Sequence, residues 1–294
     1  SAAKAKKIEG WEILLKKYEN NEVIKVKIKN KIKGGFVCEE VETKHLLFMP
    51  ASHLSNRPQK ENNNVLNHLN DAFTDIEYEI IHYESPDERG IDNALLYNPS
   101  KFKVLSSKPI SNILSGDDKT RDILYVKGIF NRSLIHIFVN HWPSNYGGRE
   151  KSIPKRNFTS KLLLGEIQKI KKAEAEPNIV LLGDFNEDPD DKNILLLEQI
   201  GLTSLMKPML GQPKVGTYVY RGEDSFLDQI IVNKQLQDSE SLSIVQGSAY
   251  ILDLPKYRQQ EGNYKHYPYR FWAGNRLLGG YSDHLAIKVK IIFN

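Results

Sequence analysis

The feature that most constrains this sequence is an apolar segment that ends abruptly in polar residues near position 184. Residues 179–182 read Ile-Val-Leu-Leu, and residues 183–186 read Gly-Asp-Phe-Asn. A short, unbroken apolar run of this kind is typical of a strand that is buried on both faces of a sheet. Asp184 and Asn186 lie two positions apart, so their side chains point the same way on extended backbone. The segment therefore predicts a carboxylate and a carboxamide that address one ligand at a sheet edge.

A purely structural turn is the alternative for the same segment. Residues 188–191 read Asp-Pro-Asp-Asp, a composition that favours a turn and supplies N-cap candidates for a helix. The pattern that follows predicts this helix over residues 193–200. On this segment alone, a catalytic edge and a helix-capping turn both remain open.

Length and composition indicate a globular protein with a layered core. The chain has 294 residues, 40% of them hydrophobic, and its single cysteine excludes an intramolecular disulfide framework. No apolar run is long enough to span a bilayer, and no apolar stretch follows the basic N-terminus. We therefore predict no membrane insertion and a cytoplasmic location. The formal net charge of +4 is compatible with a polyanionic partner without requiring one, and the oligomeric state is not indicated.

The N-terminal segment carries a stripe of lysines. Residues 23–33 alternate apolar residues with lysine or asparagine, which predicts a strand with one buried and one cationic face. Residues 36–38 and 46–50 predict two further strands, and Trp11, Leu14, Leu15 and Tyr18 fall at helical spacing. A cationic stripe is most often simply a solvated face.

Residues 10–23, 31–37 and 48–54 together resemble the S-one RNA-binding repeat, the OB-fold module of the large bacterial small-subunit ribosomal protein. The resemblance implies a five-stranded barrel that binds single-stranded RNA through basic and aromatic groups. Only about three strands precede the Asn-Arg-Pro at residues 56–58. We therefore predict that residues 1–58 form a partial OB-like basic segment.

From residue 59 onward, strand and helix patterns are mixed, which predicts an α/β (α+β) domain with sheets packed under helices. Helices are predicted at residues 65–73, 158–172 and 193–200. Strands are predicted at residues 76–82, 91–97, 102–105, 123–130, 134–140, 179–182, 217–221, 226–232 and 285–292.

Several of these predicted strands begin or end in groups that can perform chemistry. His141 follows an apolar strand, Asp228 interrupts one, and Asp283 and His284 precede the last. A buried Asp needs a cation, an imidazole or a metal as its partner. Each residue taken singly is more often structural, but together they predict a site assembled from several sheet edges.

Four motifs carry a second resemblance: residues 140–144 (Asn-His-Trp-Pro-Ser), 183–186 (Gly-Asp-Phe-Asn), 227–229 (Leu-Asp-Gln) and 282–284 (Ser-Asp-His). In this order they resemble the endonuclease/exonuclease/phosphatase superfamily, the fold of pancreatic deoxyribonuclease. The resemblance covers about residues 61–294. It implies a four-layer sandwich of two packed mixed β-sheets flanked by helices, and metal-dependent cleavage of phosphate esters. On this basis residues 59–294 would form the family domain without its usual first strands.

The resemblance also implies roles for individual residues. Asp184 would orient or deprotonate the attacking water, and Asn186 would hold the phosphate or that water. His284 would bind the phosphate or shuttle a proton, and Asp228 would fix its tautomer. His141 would act as a general acid or as a hydrogen-bond donor to the developing oxyanion.

Further residues are implied more loosely. Asp92 is the candidate carboxylate that supports His141, and Arg121 the candidate phosphate-contacting arginine, although a surface ion pair explains both equally well. Asp283 and Asp184 would bind the metal, for which Mg²⁺ fits best and Mn²⁺ is an alternative. The loops at residues 146–149 and 264–272 would select the substrate, with aromatic side chains suited to stacking on a nucleobase.

The sequence departs from the family at its second strand. Gln59 stands where the family has a metal-binding Glu, and Glu61 with Asn62 resembles the end of that motif. A neutral carboxamide is a weaker ligand for Mg²⁺, so metal affinity and activity would be reduced. We predict a divalent-metal-dependent phosphodiesterase of the endonuclease or exonuclease type, acting on DNA, RNA or another phosphate ester. The alternative is a catalytically impaired hybrid that serves as an RNA-binding module.

Overall fold

The structure is a computed structural model that describes residues 13–17, 20, 25–32, 35–50, 78–114, 118–238, 241–274 and 276–293. The chain divides into two compact units, residues 1–62 and 63–294. Gln59, Glu61 and the helix predicted at residues 65–73 lie outside the described residues. None of the helices in the described ranges is long and apolar enough to cross a membrane.

The described part of the first unit is an antiparallel meander with a helical turn at residues 13–17. Its strands are β1 (Val26–Ile32), β2 (Gly35–Glu40) and β3 (Leu46–Pro50), in the order β1-β2-β3. Lys25 and Lys27 are exposed, as the lysine stripe predicts, and Lys29 forms an ion pair of 3.2 Å with Glu39. The three strands predicted from residues 23–50 are thus present, and the described residues of this unit form a three-stranded sheet rather than the five-stranded barrel that the resemblance implied.

The second unit is built on one large mixed sheet, which confirms the predicted α/β class. Its strands are β6 (Phe102–Ile110), β7 (Ile123–Phe130), β8 (Ser133–His141), β9 (Asn178–Asp184), β10 (Leu202–Ser204) and β13 (Asp228–Asn233). The spatial order is β10-β13-β9-β8-β7-β6, with β8 and β9 parallel and every other neighbouring pair antiparallel.

The remaining elements pair locally. The strands are β4 (Glu79–His82), β5 (Ala94–Tyr97), β11 (Tyr218–Tyr220), β12 (Glu223–Ser225), β14 (Leu242–Ile244), β15 (Tyr250–Ile251), β16 (Trp272–Ala273), β17 (Arg276–Leu277), β18 (Ile287–Lys288) and β19 (Ile291–Phe293). The α-helices are α1 (Arg149–Ala173), α2 (Lys192–Gln199) and α3 (Lys234–Asp238), and 3-10 turns occur at Lys207–Met209 and Pro255–Tyr257. The two-stranded ladders are β4–β5, β11–β12, β14–β19, β15–β18 and β16–β17.

The large sheet is covered on both faces, which explains the unbroken apolar character of β9. On one face, Leu181 packs in a fully buried cluster with Leu163 of α1 and Ile194 of α2. On the other face, Val180 packs in a cluster that includes residues of β14, β18 and β19. Each completely buried Leu or Ile contributes about 1.5–3 kcal/mol, so these two clusters anchor β9 between layers.

Two parts of the predicted sandwich differ in the structure. In the described residues the second sheet consists of separate ladders (β4–β5, β14–β19 and β15–β18), and α1 and α2 both cover the face opposite to it. The single strand predicted at residues 285–292 is divided into β18 and β19. Between these two strands, the Lys290 amide donates to Ser248 Oγ at 3.1 Å.

Candidate active site

Three strand ends place acidic and imidazole side chains in one row. In the parallel pair β8–β9, His141 lies opposite Asp184, and in the antiparallel pair β9–β13, Asp184 lies opposite Asp228. His141 and Asp228 are thus the two cross-strand neighbours of Asp184. The strand ends themselves, rather than a flexible loop, fix the spacing of these three groups.

The backbone around Asp184 explains the residues beside it. Gly183 has φ of 123°, and a Cβ there would lie 2.0 Å from the carbonyl oxygen of Asn140, so only glycine fits between β8 and β9. Asn186 has φ of 51°, a left-handed conformation that Asn tolerates well. Its amide and side-chain Nδ2 donate to the two Asp184 oxygens at 2.8 and 3.2 Å, so the two side chains do address each other.

His284 reaches the row from the loop before β18. Its Nδ1 donates to Asp228 Oδ2 at 2.6 Å, and the Tyr218 ring lies against the imidazole with centroids 4.8 Å apart. Burial alone would lower the pKa of His284, but the hydrogen bond and charge of Asp228, with the nearby Asp184 and Asp283, raise it to about 9. The imidazole is therefore cationic at neutral pH, with Nδ1 already engaged.

The pKa of Asp184 is also raised, which for a carboxyl group favours the neutral form. Burial, reinforced by the charge of Asp228, raises the pKa of Asp184 to about 7, against the opposing influence of His284, the Asn186 amide and Arg121. A carboxyl group with a pKa near neutrality can give or take a proton at working pH. The perturbation also marks a site where two carboxylates lie close together with incomplete compensation.

His141 completes the group. Its Nε2 lies 3.5 Å from Asp184 Oδ2. Burial, together with the charges of Arg121, Arg89 and His284, lowers the pKa of His141 to about 3. The ring is neutral at pH 7, which favours the hydrogen-bond donor among the two roles that the resemblance implied.

A family match over most of the chain accompanies this arrangement of side chains. A sequence model described as the Endonuclease/Exonuclease/phosphatase family matches residues 57–292, well over half of the chain. The chain belongs to this family. Its coarse class is accordingly a phosphoester hydrolase, the class that this family description names. No curated protein matches the chain at a significant level.

Solved structures share the fold at low sequence identity. The human nocturnin catalytic domain aligns with a TM-score of 0.51 at 18% identity, covering 83% of this chain and 78% of that one. A truncated TDP2 from Caenorhabditis elegans gives 0.51 at 13% identity, with 80% and 81% covered. The mannosyl-6-phosphatase of Bacteroides thetaiotaomicron gives 0.50 at 17% identity, with 78% and 81% covered. None of these comparisons supports an OB-fold in the N-terminal segment.

The predicted partner of Asp92 is wrong. The sequence predicted that it supports His141, but its Oδ2 lies 3.2 Å from Nε2 of His82, and its Oδ1 accepts from the amide and hydroxyl of Ser85 at 2.8 and 2.6 Å. Both carboxylate oxygens are therefore used within the β4–β5 hairpin. β5 begins at Ala94, three residues later than predicted, so Asp92 lies before the strand.

Arg121 also differs from its prediction. Its side chain is only 3% exposed, with Nη1 donating to Asp87 Oδ2 at 3.1 Å and Nη2 to the Trp142 carbonyl at 2.6 Å. The guanidinium is thus neither an open phosphate-binding fork nor part of a surface ion pair. It instead holds the Trp142 carbonyl, which also accepts from Asn186 Nδ2 at 3.1 Å.

Asp87 is the residue that sequence reasoning missed. No role was predicted for residues 85–90. Asp87 is nevertheless buried, and besides Arg121 it accepts from Arg89 Nη2 at 3.0 Å. The signal was the Pro-Asp-x-x-Gly turn, in which the Gly90 amide donates to the Asp87 carbonyl at 2.9 Å. Such a turn can direct the Asp side chain inward.

A second polar network joins Glu187, directly after residues 183–186, to helices α1 and α2. Glu187 Oε1 accepts from Arg156 Nε at 3.0 Å and from Asn193 Nδ2 at 2.8 Å. The capping alternative for residues 188–191 is only partly met, because Asp191 is the N-cap of α2 but its side chain makes no capping bond. Its Oδ2 accepts from the Asp188 amide at 2.7 Å instead, which closes the turn.

The acidic groups suit a hard cation. The side chain of Asp283 is 53% exposed, with Arg270 Nη2 4.0 Å away. Asp184 lies opposite Asp228, and a cation bound there would offset the repulsion between the two carboxylates. Within the described ranges no three His, Cys, Asp or Glu side chains are grouped as metal ligands. Mg²⁺ needs only one or two protein carboxylates, because waters and substrate phosphate complete its shell. The residues present therefore fit Mg²⁺ better than a structural zinc.

Proposed function

We propose that this chain is a divalent-metal-dependent phosphodiesterase acting on nucleic acid or a related phosphate ester. The observation that carries the proposal is the convergence of His141, Asp184 and Asp228 on adjacent strand ends, with Asn186 and His284 bonded to them. These residues are separated by up to about half of the chain, so their contact is specific to this fold. A cytoplasmic location stays a prediction.

In this proposal His284 binds the substrate phosphate. The Nδ1 proton is held by Asp228, so the Nε2–H is the remaining donor for a phosphate oxygen. Because the pKa of His284 is raised to about 9, the contact is charge-assisted at neutral pH. Asp228 acts by fixing the tautomer and keeping the ring charged.

Asp184 accepts a proton from the attacking water, and Asn186 orients the Asp184 carboxylate. Asp184, with a pKa raised to about 7, is suited to accept a proton from water as the oxygen attacks phosphorus. Asn186 fixes the carboxylate orientation through its two bonds to Asp184. Neutral His141 donates a hydrogen bond to the charge that develops on the phosphoryl oxygens.

Asp283 and Asp184 would hold the metal ion. When bound, Mg²⁺ or Mn²⁺ supplies positive charge that neutralises the phosphate oxygens.

Hydrolysis of bis-para-nitrophenyl phosphate tests the proposal. The full chain is assayed with Mg²⁺, with Mn²⁺ and with excess chelator, and then with DNA, RNA and sugar-phosphate substrates. The proposal requires hydrolysis of the diester that depends on added metal. Metal-independent turnover, or no turnover of any phosphodiester at saturating Mn²⁺, would remove it.

The alternative, an RNA-binding module, is favoured by the exposed Lys25 and Lys27 of the N-terminal unit. Under this alternative, RNA binds without hydrolysis, and the double variant Lys25→Glu/Lys27→Glu weakens the binding. Under the phosphodiesterase proposal, metal-dependent turnover of bis-para-nitrophenyl phosphate does not change in this variant, because the small substrate needs no RNA contact.

A further inference from the structure

A long segment next to His284 is rich in exposed aromatic rings. We name residues 254–281 the aromatic segment; it includes the β16–β17 hairpin and leads directly into residues 282–284. Its seven aromatic residues are Tyr257, Tyr264, Tyr267, Tyr269, Phe271, Trp272 and Tyr281. The loop at residues 264–272, which the sequence predicts to select the substrate, lies within this segment, and the catalytic roles proposed above use none of these rings.

Backbone contacts attach this segment firmly to the candidate active site. The amides of Tyr281 and Ser282 both donate to the carbonyl of Tyr269, at 2.6 and 3.2 Å. Ser282 Oγ in turn accepts from the His284 amide at 3.0 Å. A Cβ at Gly280 would lie 2.1 Å from the Tyr269 carbonyl oxygen, so the two strands of chain run in close contact. The aromatic segment and the His284 loop are therefore one connected structure.

Several rings in this segment are open to solvent rather than packed in a core. Tyr264 is 61% exposed, Phe271 49% and Tyr281 63%. The Tyr257 and Tyr281 rings form a T-shaped contact, with centroids 5.1 Å apart and an interplanar angle of 88°. Their faces are therefore not stacked on each other. Clustered exposed rings of this kind mark a binding surface.

The charge of the segment defines the partner. Residues 254–281 contain five Lys or Arg residues and one acidic residue, Glu261. Arg258 is paired with Asp253 at 2.7 Å and Arg270 lies 4.0 Å from Asp283, whereas Lys265 and Arg276 are exposed. A neutral apolar partner would match the rings but not this excess of positive charge. A polyanion with flat, stackable groups matches both.

We infer that the aromatic segment is a stacking surface for the bases of a single-stranded nucleic acid whose scissile phosphate is bound at His284. The inference rests on the proposed phosphodiesterase function and selects one substrate class for it. Unpaired bases expose their faces to aromatic side chains, whereas the bases of a duplex are stacked on each other. The exposed cations contact the backbone phosphates, and the rings supply affinity that does not depend on sequence.

Binding of a fluorescent twelve-nucleotide oligodeoxythymidylate tests the inference. Anisotropy is measured with the full chain carrying Asp184→Asn, to prevent cleavage, for the single strand and for a duplex of the same length. We expect preferential binding of the single strand. Adding Tyr264→Ala or Phe271→Ala should weaken it on the order of tenfold per ring, and Phe271→Trp should retain it.

The matched control is Phe158→Ala, which removes an exposed ring from α1; it should leave the affinity unchanged. Melting curves identify any variant that fails to fold, in which case Phe271→Leu, which keeps apolar bulk without a flat ring, replaces it. Equal affinity for single strand and duplex, or affinity unaffected by both ring variants, overturns the inference. If the wild type hydrolyses bis-para-nitrophenyl phosphate but the Asp184→Asn chain binds no single strand, the inference fails while the proposed function stands. Ring-dependent binding without diester hydrolysis by the wild type instead removes the proposed function.

Discussion

Asp228 Oδ2 lies 2.6 Å from Nδ1 of His284, although 56 residues separate the two in the chain. The pair joins the end of β13 to the loop before β18. It fixes which imidazole nitrogen remains for a ligand and keeps the ring charged. This contact therefore links the architecture of the sheet edge to the proposed phosphate chemistry.

Loss of the Asp228 charge should reduce catalysis more than stability. In Asp228→Asn the tautomer of His284 is no longer fixed and its pKa falls, so kcat/KM for bis-para-nitrophenyl phosphate should decrease about 10²–10⁴-fold. The control Asp224→Asn alters a carboxylate on the neighbouring β12 and should change kcat/KM less than threefold. Equal effects of the two substitutions would contradict the assigned role of Asp228.

Gly183 should be intolerant of any side chain. Gly183→Ala adds a Cβ 2.0 Å from the Asn140 carbonyl oxygen at a residue with φ of 123°. Strain and separation of β8 from β9 should cost about 2 kcal/mol or more of unfolding free energy, measured by urea denaturation. Gly165→Ala is the matched control, because a Cβ there meets nothing within 4 Å. In a helix interior this second change should stabilise the protein by about 0.5–1 kcal/mol.

The Asp87–Arg121 pair should be structural and costly to break from one side. Asp87→Ala leaves the Arg121 guanidinium buried without its carboxylate, which should cost about 3–5 kcal/mol of unfolding free energy. Arg89 contacts the same carboxylate, but its side chain is 55% exposed. Arg89→Ala should therefore cost less than about 1 kcal/mol. Similar losses of unfolding free energy in the two variants would show that burial of Arg121 is not what makes Asp87 important.

Glu40 makes the first unit sensitive to acid. Its Oε2 accepts from the Thr43 amide at 2.5 Å, the Thr43 hydroxyl at 2.7 Å and the Glu42 amide at 3.0 Å. The Thr43 bonds, with smaller help from the Glu42 amide and Lys17, lower the pKa of Glu40 to about 2 from its ordinary 4.5. Because the folded pKa is the lower one, the stabilisation is complete above about pH 4.5 and is lost as pH falls toward 2.

Glu40→Gln tests this dependence. The variant should unfold more easily than wild type at pH 6, and the difference should shrink between pH 4.5 and 2. Hydrogen exchange of the amides at residues 42 and 43 reports the local turn directly. A difference that is constant over this pH range would exclude the carboxylate as its source.

Strand β9 was predictable because the features that determine it are local in the sequence. The apolar run at residues 179–182 needs only burial on both faces, and the structure provides it through Leu181 and Val180. Gly183 and Asn186 occupy backbone conformations that those residue types adopt readily. The apolar strand was therefore predictable, but the extended backbone expected for residues 184–186 is wrong, because β9 ends at Asp184 and Asn186 is left-handed with φ of 51°.

The start of α1 was not predictable from periodicity. The helix begins at Arg149, nine residues before the predicted position, and contains Pro154. Arg156 is fully buried, where it bonds to Glu187 and to Ser152 Oγ at 2.6 Å. A buried polar network gives no apolar stripe, so the inner face of these turns resembles a solvated one.

The sequence also did not predict which side chain each of the carboxylates Asp87 and Asp92 contacts. Asp87 and Asp92 lie five positions apart in one polar loop, and either could have served an imidazole or a guanidinium. The structure gives Asp92 to His82 and Asp87 to Arg121. The Asp87–Arg121 pairing depends on how the β4–β5 hairpin meets the large sheet, a relation that no local pattern encodes, whereas the Asp92–His82 pairing is made within the hairpin.

Steady-state hydrolysis of bis-para-nitrophenyl phosphate at saturating Mg²⁺, compared among wild type, Asp184→Asn, His284→Ala and Asp118→Asn, tests the central claim most directly. Asp118 forms an exposed ion pair with Lys155 and serves as the matched carboxylate control. The convergent site predicts that the first two substitutions each lower kcat about 10²–10⁴-fold, whereas the control retains the wild-type rate. Equal rates in wild type, Asp184→Asn and His284→Ala would contradict it.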